Sequence, residues 1–231
     1  MNINLFDIFF FIFNDTAETR NDLTARGTQP PVLWADEKLF SVKVIHNSQN
    51  DRIWIQNLNS VPVEQRTAFR RQKPDSVMVW AGATATGLKT PLIFIEEGVK
   101  INQHVYLKML KDTALPWVNE VAGEEGITFQ QDGATSHTAK MVQEWCEANF
   151  KSFWSKEFFP PSSPDLNPMD FGIWSILEQK ACVVSHLSVK VLKAKLKKCW
   201  AEIEAETVRA TCTQVIPRLR RVIKNKEEYI E

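Results

Sequence analysis

Four prolines, at positions 160, 161, 164 and 168, fall within nine consecutive residues of this chain. Each holds φ near about −65° and removes a backbone donor, so the segment reads as a stiff loop. Its exit is a helix start. Asn167 suits the N-cap, Pro168 the first helical position and Asp170 the third. Leu166 and Phe171 are spaced to pack across that cap as a hydrophobic staple. Ile173, Trp174 and Leu177 continue an apolar face at helical spacing. A rigid loop thus delivers one carboxylate, Asp170, on the first turn of an amphipathic helix. Taken alone, that carboxylate needs no role beyond complementing the positive helix end.

Upstream, two short apolar runs also end on carboxylates. Val32-Leu33-Trp34-Ala35-Asp36 reads as a buried strand continuing towards Phe40 and Val44, with Glu37 on the opposite side of the extended chain. Ser76–Ala83 is a second strand, 84–87 a turn, and Leu92–Ile95 a third strand, which together suggest an antiparallel meander. Asn102 caps a helix to about Ala122, with Pro116 as a kink. Ile127–Gln131 is a strand that stops at Asp132-Gly133, Thr138 starts a helix to Asn149, and residues 153–159 read as an edge strand. Helical patterns over 188–204 and 207–225, the latter broken near Pro217, finish the chain. The order implies an α/β layer architecture, a mixed sheet with helices on its faces.

At 231 residues the chain makes one domain with an appendage. The appendage is residues 1–31, atypical of the rest of the chain and read as a truncated or misjoined segment; 227–231 is a short tail. The apolar run Leu5–Phe13 is far below the ~20 residues of a membrane helix, and no basic residue precedes it as in a signal peptide. No membrane role is expected. The 28 basic and 28 acidic residues balance, yet 186–226 carries eleven Lys/Arg against three Glu, and 117–180 ten Asp/Glu against four Lys. An acidic centre beside a basic tail fits a metal site next to a phosphate-binding surface, and equally a solvated helix face. Cys146, Cys182, Cys199 and Cys212 lack C-x-x-C spacing, so they read as reduced packing residues and argue against zinc.

If the first and fourth strands are neighbours, Asp36 and Asp132 emerge side by side, and the proline loop can bring Asp170 to them. Three carboxylates at one sheet edge repel unless cations lie between them. Hard oxygen ligands with open positions suit Mg²⁺, and two such ions can run phosphoryl transfer. Each piece has a plainer meaning. Asp132-Gly133 is also a turn dipeptide, and Asp36 could simply end a strand in water.

Three blocks decide between these readings: Trp34-Ala-Asp36-Glu37-Lys38, Gln130-Gln131-Asp132-Gly133-Ala134-Thr-Ser-His137, and Ser163-Pro164-Asp165-Leu166-Asn167-Pro168-Met169-Asp170. They resemble the catalytic blocks of mariner-type DDE/D transposases, and the likeness runs from about Val32 to Lys226. With 37 residues between Asp132 and Asp170, and Asp rather than Glu third, the chain looks like a mariner-related lineage with a long spacer. The resemblance implies a ribonuclease H-like fold over 32–226, with three antiparallel strands plus parallel strands. It implies Asp36, Asp132 and Asp170 as catalytic ligands of Mg²⁺ or Mn²⁺ in a two-metal site. It also implies DNA as partner, cut-and-paste strand cleavage and transfer as activity, and the nucleus as location; a homodimer stays open.

Around these residues, His137 is expected to support the site rather than act directly, Asp165 to shape the loop, Glu37 to be a bystander and Trp174 to be core. The DNA-binding candidates are Arg70 and Arg71 in a loop that also carries Arg66 and Lys73, and Lys190, Lys193, Lys197, Arg218, Arg220 and Arg221 in the tail. The family's paired helix-turn-helix domains have no counterpart before residue 32, so a fragment, a degraded copy or a host-adopted remnant is expected. The alternative to an enzyme is a catalytically inactive, nucleic-acid-binding remnant.

Overall fold

A computed structural model describes residues 31–43, 74–123, 126–158 and 163–224. Five strands form one sheet in the order β3-β2-β1-β4-β5. They are β1 (Val32–Ser41), β2 (Ser76–Thr84), β3 (Ile93–Phe94), β4 (Thr128–Gln130) and β5 (Ser152–Phe153). The first three are an antiparallel meander, with Asp36 opposite Ala81 and Val79 opposite Phe94. β4 and β5 then join in parallel, Trp34 beside Gln130 and Thr128 beside Ser152. The expected adjacency of the first and fourth strands is therefore observed, and with it the mixed sheet.

Helices cover both faces. α1 (Gln103–Met109) passes through a π-helical turn (Leu110–Ala114) into α2 (Leu115–Val121). Asn102 caps its start, its side chain accepting from the His104 and Val105 N–H groups. Pro116 lacks the N–H that would continue the regular ladder, which accounts for the widened turn before it. α3 is Lys140–Asn149, α4 Trp174–Ala181, α5 Val189–Ala201, α6 Ala205–Thr213 and α7 Val215–Lys224. No helix among the described residues is long and apolar enough to cross a membrane.

Strand alternation sorts the core into two layers. Trp34 and Phe40 of β1 pack with Trp174, Leu177, Leu192 and Trp200 of α4 and α5. Leu33 and Ala35 face the other way, with Tyr106, Leu110, Phe129 and Val142 around α1, β4 and α3. At about 1.5–3 kcal/mol for each large apolar side chain buried, both layers contribute substantially to folding.

Three details differ from the sequence expectations. Thr138 does not cap α3; its hydroxyl bonds back to the Ala134 carbonyl, and the helix starts two residues later. The fifth strand is two residues long rather than seven, because the chain turns at 155–158 with Phe158 N–H on the Ser155 carbonyl. The last helical break falls at Gln214, three residues before Pro217. Pro217 sits in the first turn of α7, where a missing N–H costs nothing.

Gly87 closes the turn after β2 with φ +91°, and a Cβ there would lie 2.9 Å from the Ala205 carbonyl oxygen at the start of α6. Gly98 has a similar φ of +77° but open space around it. Gly87→Ala should therefore lower unfolding free energy by about 1–3 kcal/mol, and Gly98→Ala by less, in urea titrations of both variants.

Candidate active site

Asp36 lies in the middle of β1 and is 7% exposed. A carboxylate so buried needs a donor, and Trp174 supplies it: the indole Nε1–H donates to Asp36 Oδ2 at 2.6 Å. The donor is held there by local sequence chemistry. Asn167 Oδ1 accepts the Met169 N–H at 3.0 Å, and the Asn167 carbonyl accepts from Phe171 N–H, which starts the helix. Asn167 Nδ2 also donates to the Ala35 carbonyl, tying the cap to β1 beside Asp36. The chain then winds through a π turn (Met169–Ile173) into α4, and Lys38 of β1 pairs with Glu178 of α4 at 3.0 Å. Loop and helix are thus fastened along β1. Residues 160–162 of the proline loop lie outside the described residues.

That fastening brings Asp170 against Asp36. Each of the two carboxyls shifts the titration of the other, and the charge of Asp132 bears on Asp170. Burial first, and Asp170 second, push the Asp36 carboxyl up to about 8. Asp170 is also raised, by its partial burial and by the negative charge of Asp132, with Asp36 opposing. A pair of carboxyls that retains a proton in this way is an anionic site short of positive charge.

Asp132 follows β4 and sits in a turn of its own making. Its Oδ1 accepts from the Ala134 N–H at 3.0 Å and meets His137 Nδ1 at 2.5 Å. The other ring nitrogen, Nε2, lies 3.2 Å from Glu37 Oε1. Burial alone would depress the imidazole, but hydrogen bonds and charge from Asp132 and Glu37 outweigh it and lift His137 to about 9. Burial raises Asp132, but the His137 and Ala134 donors together win, so its carboxyl is lowered. Ligand atoms of Glu37, Asp132 and His137 all lie within 4.8 Å of one another.

Two residues do more than their sequence positions suggest. Glu37 does face away from Asp36, yet His137 links it to Asp132. Trp174 is core, 1% exposed, but its indole is also the donor that Asp36 depends on. Its position four residues after Asp170 was the available signal, since i and i+4 share a helix face. Asp165 contributes its carbonyl, which accepts from Arg218 Nη1 at 3.4 Å.

The basic candidates do not gather into one patch. Lys193 and Lys197 of α5 both stand 5.6 Å from the Phe94 ring at the β3 edge, two strands from β1. Arg218 stacks 4.0 Å over Phe171, next to Asp170. With Arg221, Gln214 and Thr207 it lines an open groove of about 660 Å³ that also holds Glu204 and Glu206. Lys190 and Arg220 are exposed on α5 and α7. Arg66, Arg70, Arg71 and Lys73 lie outside the described residues.

The family model for the DDE superfamily endonuclease matches residues 31–193, more than half the chain and all three aspartates. The chain belongs to the DDE superfamily endonucleases. It is 28% identical over 151 residues to the transposable element Tcb2 transposase of Caenorhabditis briggsae, covering 65% of this chain and 52% of that protein. The chain thus spans about half the length of this curated relative. Its fold is similar to that of the catalytic domain of Mos1 mariner transposase (TM-score 0.65, 17% identity, 98% of this chain and 94% of that one). It is also similar to a Mos1 transposase paired-end complex with left transposon end (TM-score 0.72, 16% identity, 98% and 62%). The sheet order, with β1 central and β4 parallel to it, is that ribonuclease H-like fold.

Two shifts set the pH response of this endonuclease domain without metal. Folded Asp36 keeps its proton up to about 8 against an ordinary 3.8, so across that interval the folded state binds more protons and stability falls as pH rises. His137, lifted from 6.5 to about 9, has the same sign: its ion pairs contribute fully below the lower value and are lost through the upper one. Melting temperature without metal should therefore fall from about pH 5 to about pH 9. Asp36→Asn should remove the earlier part of that fall and leave the later one, read by calorimetry across the range.

Proposed function

We propose that this chain is the catalytic domain of a Tc1/mariner-type transposase, cutting DNA phosphodiester bonds and joining strands at a site made by Asp36, Asp132 and Asp170. The observation that carries the reading is Asp36, buried in β1 and held by the Trp174 indole, facing the exposed Asp170, whose charge raises the Asp36 carboxyl. The membership in the DDE endonucleases and the likeness to transposases support it.

The donor set fits a hard divalent cation. It is all oxygen on the Asp36 side, it carries surplus negative charge, and Asp170 is exposed enough to leave room for water and phosphate. Solved Mos1 complexes are described with Mn and with Mg. One or two such ions would supply Lewis-acid stabilisation of the charge that builds on phosphoryl oxygens. The chain's own residues do the rest. Trp174 holds Asp36 Oδ2 in one orientation, Asn167 fixes the approach of Asp170, and His137 with Ala134 N–H takes Asp132 Oδ1. Orientation of this kind removes the entropy of assembling the site during reaction.

The nucleic acid is proposed to be held by its phosphates. Arg218 and Arg221 line the groove next to Asp170, and Lys190, Lys193, Lys197 and Arg220 lie further out. Such contacts carry no sequence information, so affinity for any duplex should be similar and should fall steeply between about 50 and 200 mM salt. A nuclear location and a dimeric assembly belong to the same proposal.

Mn²⁺ or Mg²⁺ should raise the melting temperature by binding only the folded state, a gain of about 2.7 kcal/mol at a hundredfold excess over Kd. Asp132→Asn should lose most of that gain while remaining folded. With Mn²⁺ the purified chain should nick plasmid DNA slowly, and Asp36→Ala, Asp132→Ala and Asp170→Ala should each abolish nicking. Binding without cutting under every divalent ion would favour the alternative, an inactive nucleic-acid-binding remnant.

A further inference from the structure

Asp132 is the one acid of the three that no regular element holds. It follows β4, and residues 131–139 form neither strand nor helix. A carboxylate on such a loop could turn either oxygen to the site. What fixes it is an assembly on the far face of the sheet from Trp174.

His137 is 2% exposed and held by both its backbone and its ring. Its carbonyl accepts from Gln131 Nε2 at 3.1 Å and from Gln143 Nε2 at 2.9 Å. Its ring lies against Tyr106, with centroids 3.9 Å apart and planes at 30°. Tyr106 is itself locked, since its hydroxyl donates to Gln131 Oε1 at 2.8 Å. The ring therefore cannot flip without opening α1's contact with the loop. Glu37 supplies the other end. It sits in β1 opposite Trp80, in the rigid middle of the sheet, and meets His137 Nε2. His137 Nδ1 in turn meets Asp132 Oδ1, which also takes the Ala134 N–H. With both donors on Oδ1, Oδ2 is the oxygen left for a cation.

We propose that Glu37 and Tyr106 are positioning residues that act through His137 to hold the Asp132 carboxylate in one orientation, with Oδ2 turned to the ion. This rests on the metal-site reading above. Glu37 is not itself a ligand on this view, because alternation along β1 puts it on the face opposite Asp36 and the imidazole stands between it and Asp132. The rigidity of the central strand reaches the loop-borne acid through one ring. Outer partners of ligating groups commonly change metal affinity about 10–100-fold when removed, which sets the expected size.

The test is Mn²⁺ binding to the metal-free protein, read as free Mn²⁺ by electron paramagnetic resonance, with melting temperature measured in parallel. Glu37→Gln and His137→Gln should each weaken Mn²⁺ about tenfold, and the double variant should be no weaker than the worse single one. Multiplying losses would show Glu37 reaching the ion independently and would overturn the proposal. So would a Glu37→Gln protein that melts lower yet binds Mn²⁺ within about twofold of the wild type. If His137→Gln does not fold, Tyr106→Phe replaces it, keeping the ring wall and removing only the hydroxyl; the same non-additivity is expected, and additivity overturns. Asp132→Asn separates the two readings. Loss of Mn²⁺ binding there, with Glu37→Gln unchanged, sinks the positioning role alone, whereas unchanged binding in Asp132→Asn sinks the metal site and this inference with it.

Discussion

Asp36 is a carboxyl taken out of water in the middle of the central strand, and its hydrogen bond from the Trp174 indole is the constraint around which the rest is arranged. Burying such a group without a partner costs several kcal/mol, so the indole has to be present whenever the sheet is closed. Placing the indole requires α4 to lie along β1. That in turn requires the chain to leave the proline loop at Asn167, which caps the turn with one side-chain atom and grips the Ala35 carbonyl with the other. The π turn between them sets where Asp170 and Trp174 point relative to one another. One buried carboxyl therefore couples strand, loop and helix.

The strand's two faces divide the electrostatics. On the Trp174 face, burial and then the Asp170 charge push Asp36 towards protonation, while burial and the Asp132 charge push Asp170 the same way against the opposing effects of Asp36 and the Lys38 ammonium. On the Tyr106 face, a buried imidazolium sits between Glu37 and Asp132 as an internal counter-ion. Asp132 stands at the seam. The same strand thus presents carboxyls pushed towards protonation on one side and, on the other, an imidazole lodged between two carboxylates, with Glu37 Oε1 buried and making no hydrogen bond among the described residues.

The basic residues make a different point. Eleven Lys/Arg in the tail look like one surface in the sequence. In three dimensions Lys193 and Lys197 lie by the Phe94 ring, while Arg218 packs on Phe171 and bonds the Asp165 carbonyl. Long cationic side chains cover apolar rings as readily as they reach for phosphate, and composition alone does not distinguish the two. Lys89 shows the structural use plainly: its ammonium bonds the carbonyls of Trp200 and Ile203 at the end of α5.

Local chemistry made much of this readable from the chain. Proline, the Asn167 cap and apolar spacing define a helix start that carries Asp170, because those signals act over three or four residues. Alternation of Trp34, Asp36 and Phe40 against Leu33, Ala35 and Glu37 is a property of any extended strand, so the two faces of β1 were legible too. The motif blocks pointed to the DDE family and its fold. Pairing was another matter. That β4 lies parallel beside β1 and puts Asp132 near the Asp36–Asp170 pair depends on contacts about a hundred residues apart in sequence, which no local pattern encodes. The same holds for Glu37. Its sequence neighbours mark it as a bystander facing away from Asp36, and only the folding of the 131–139 loop beneath the strand inserts His137 between it and Asp132. Trp174 was recognisable as core from spacing, but its N–H found the Asp36 carboxyl only once α4 was laid on the sheet, since a hydrogen bond between residues 138 apart exists only in the closed fold.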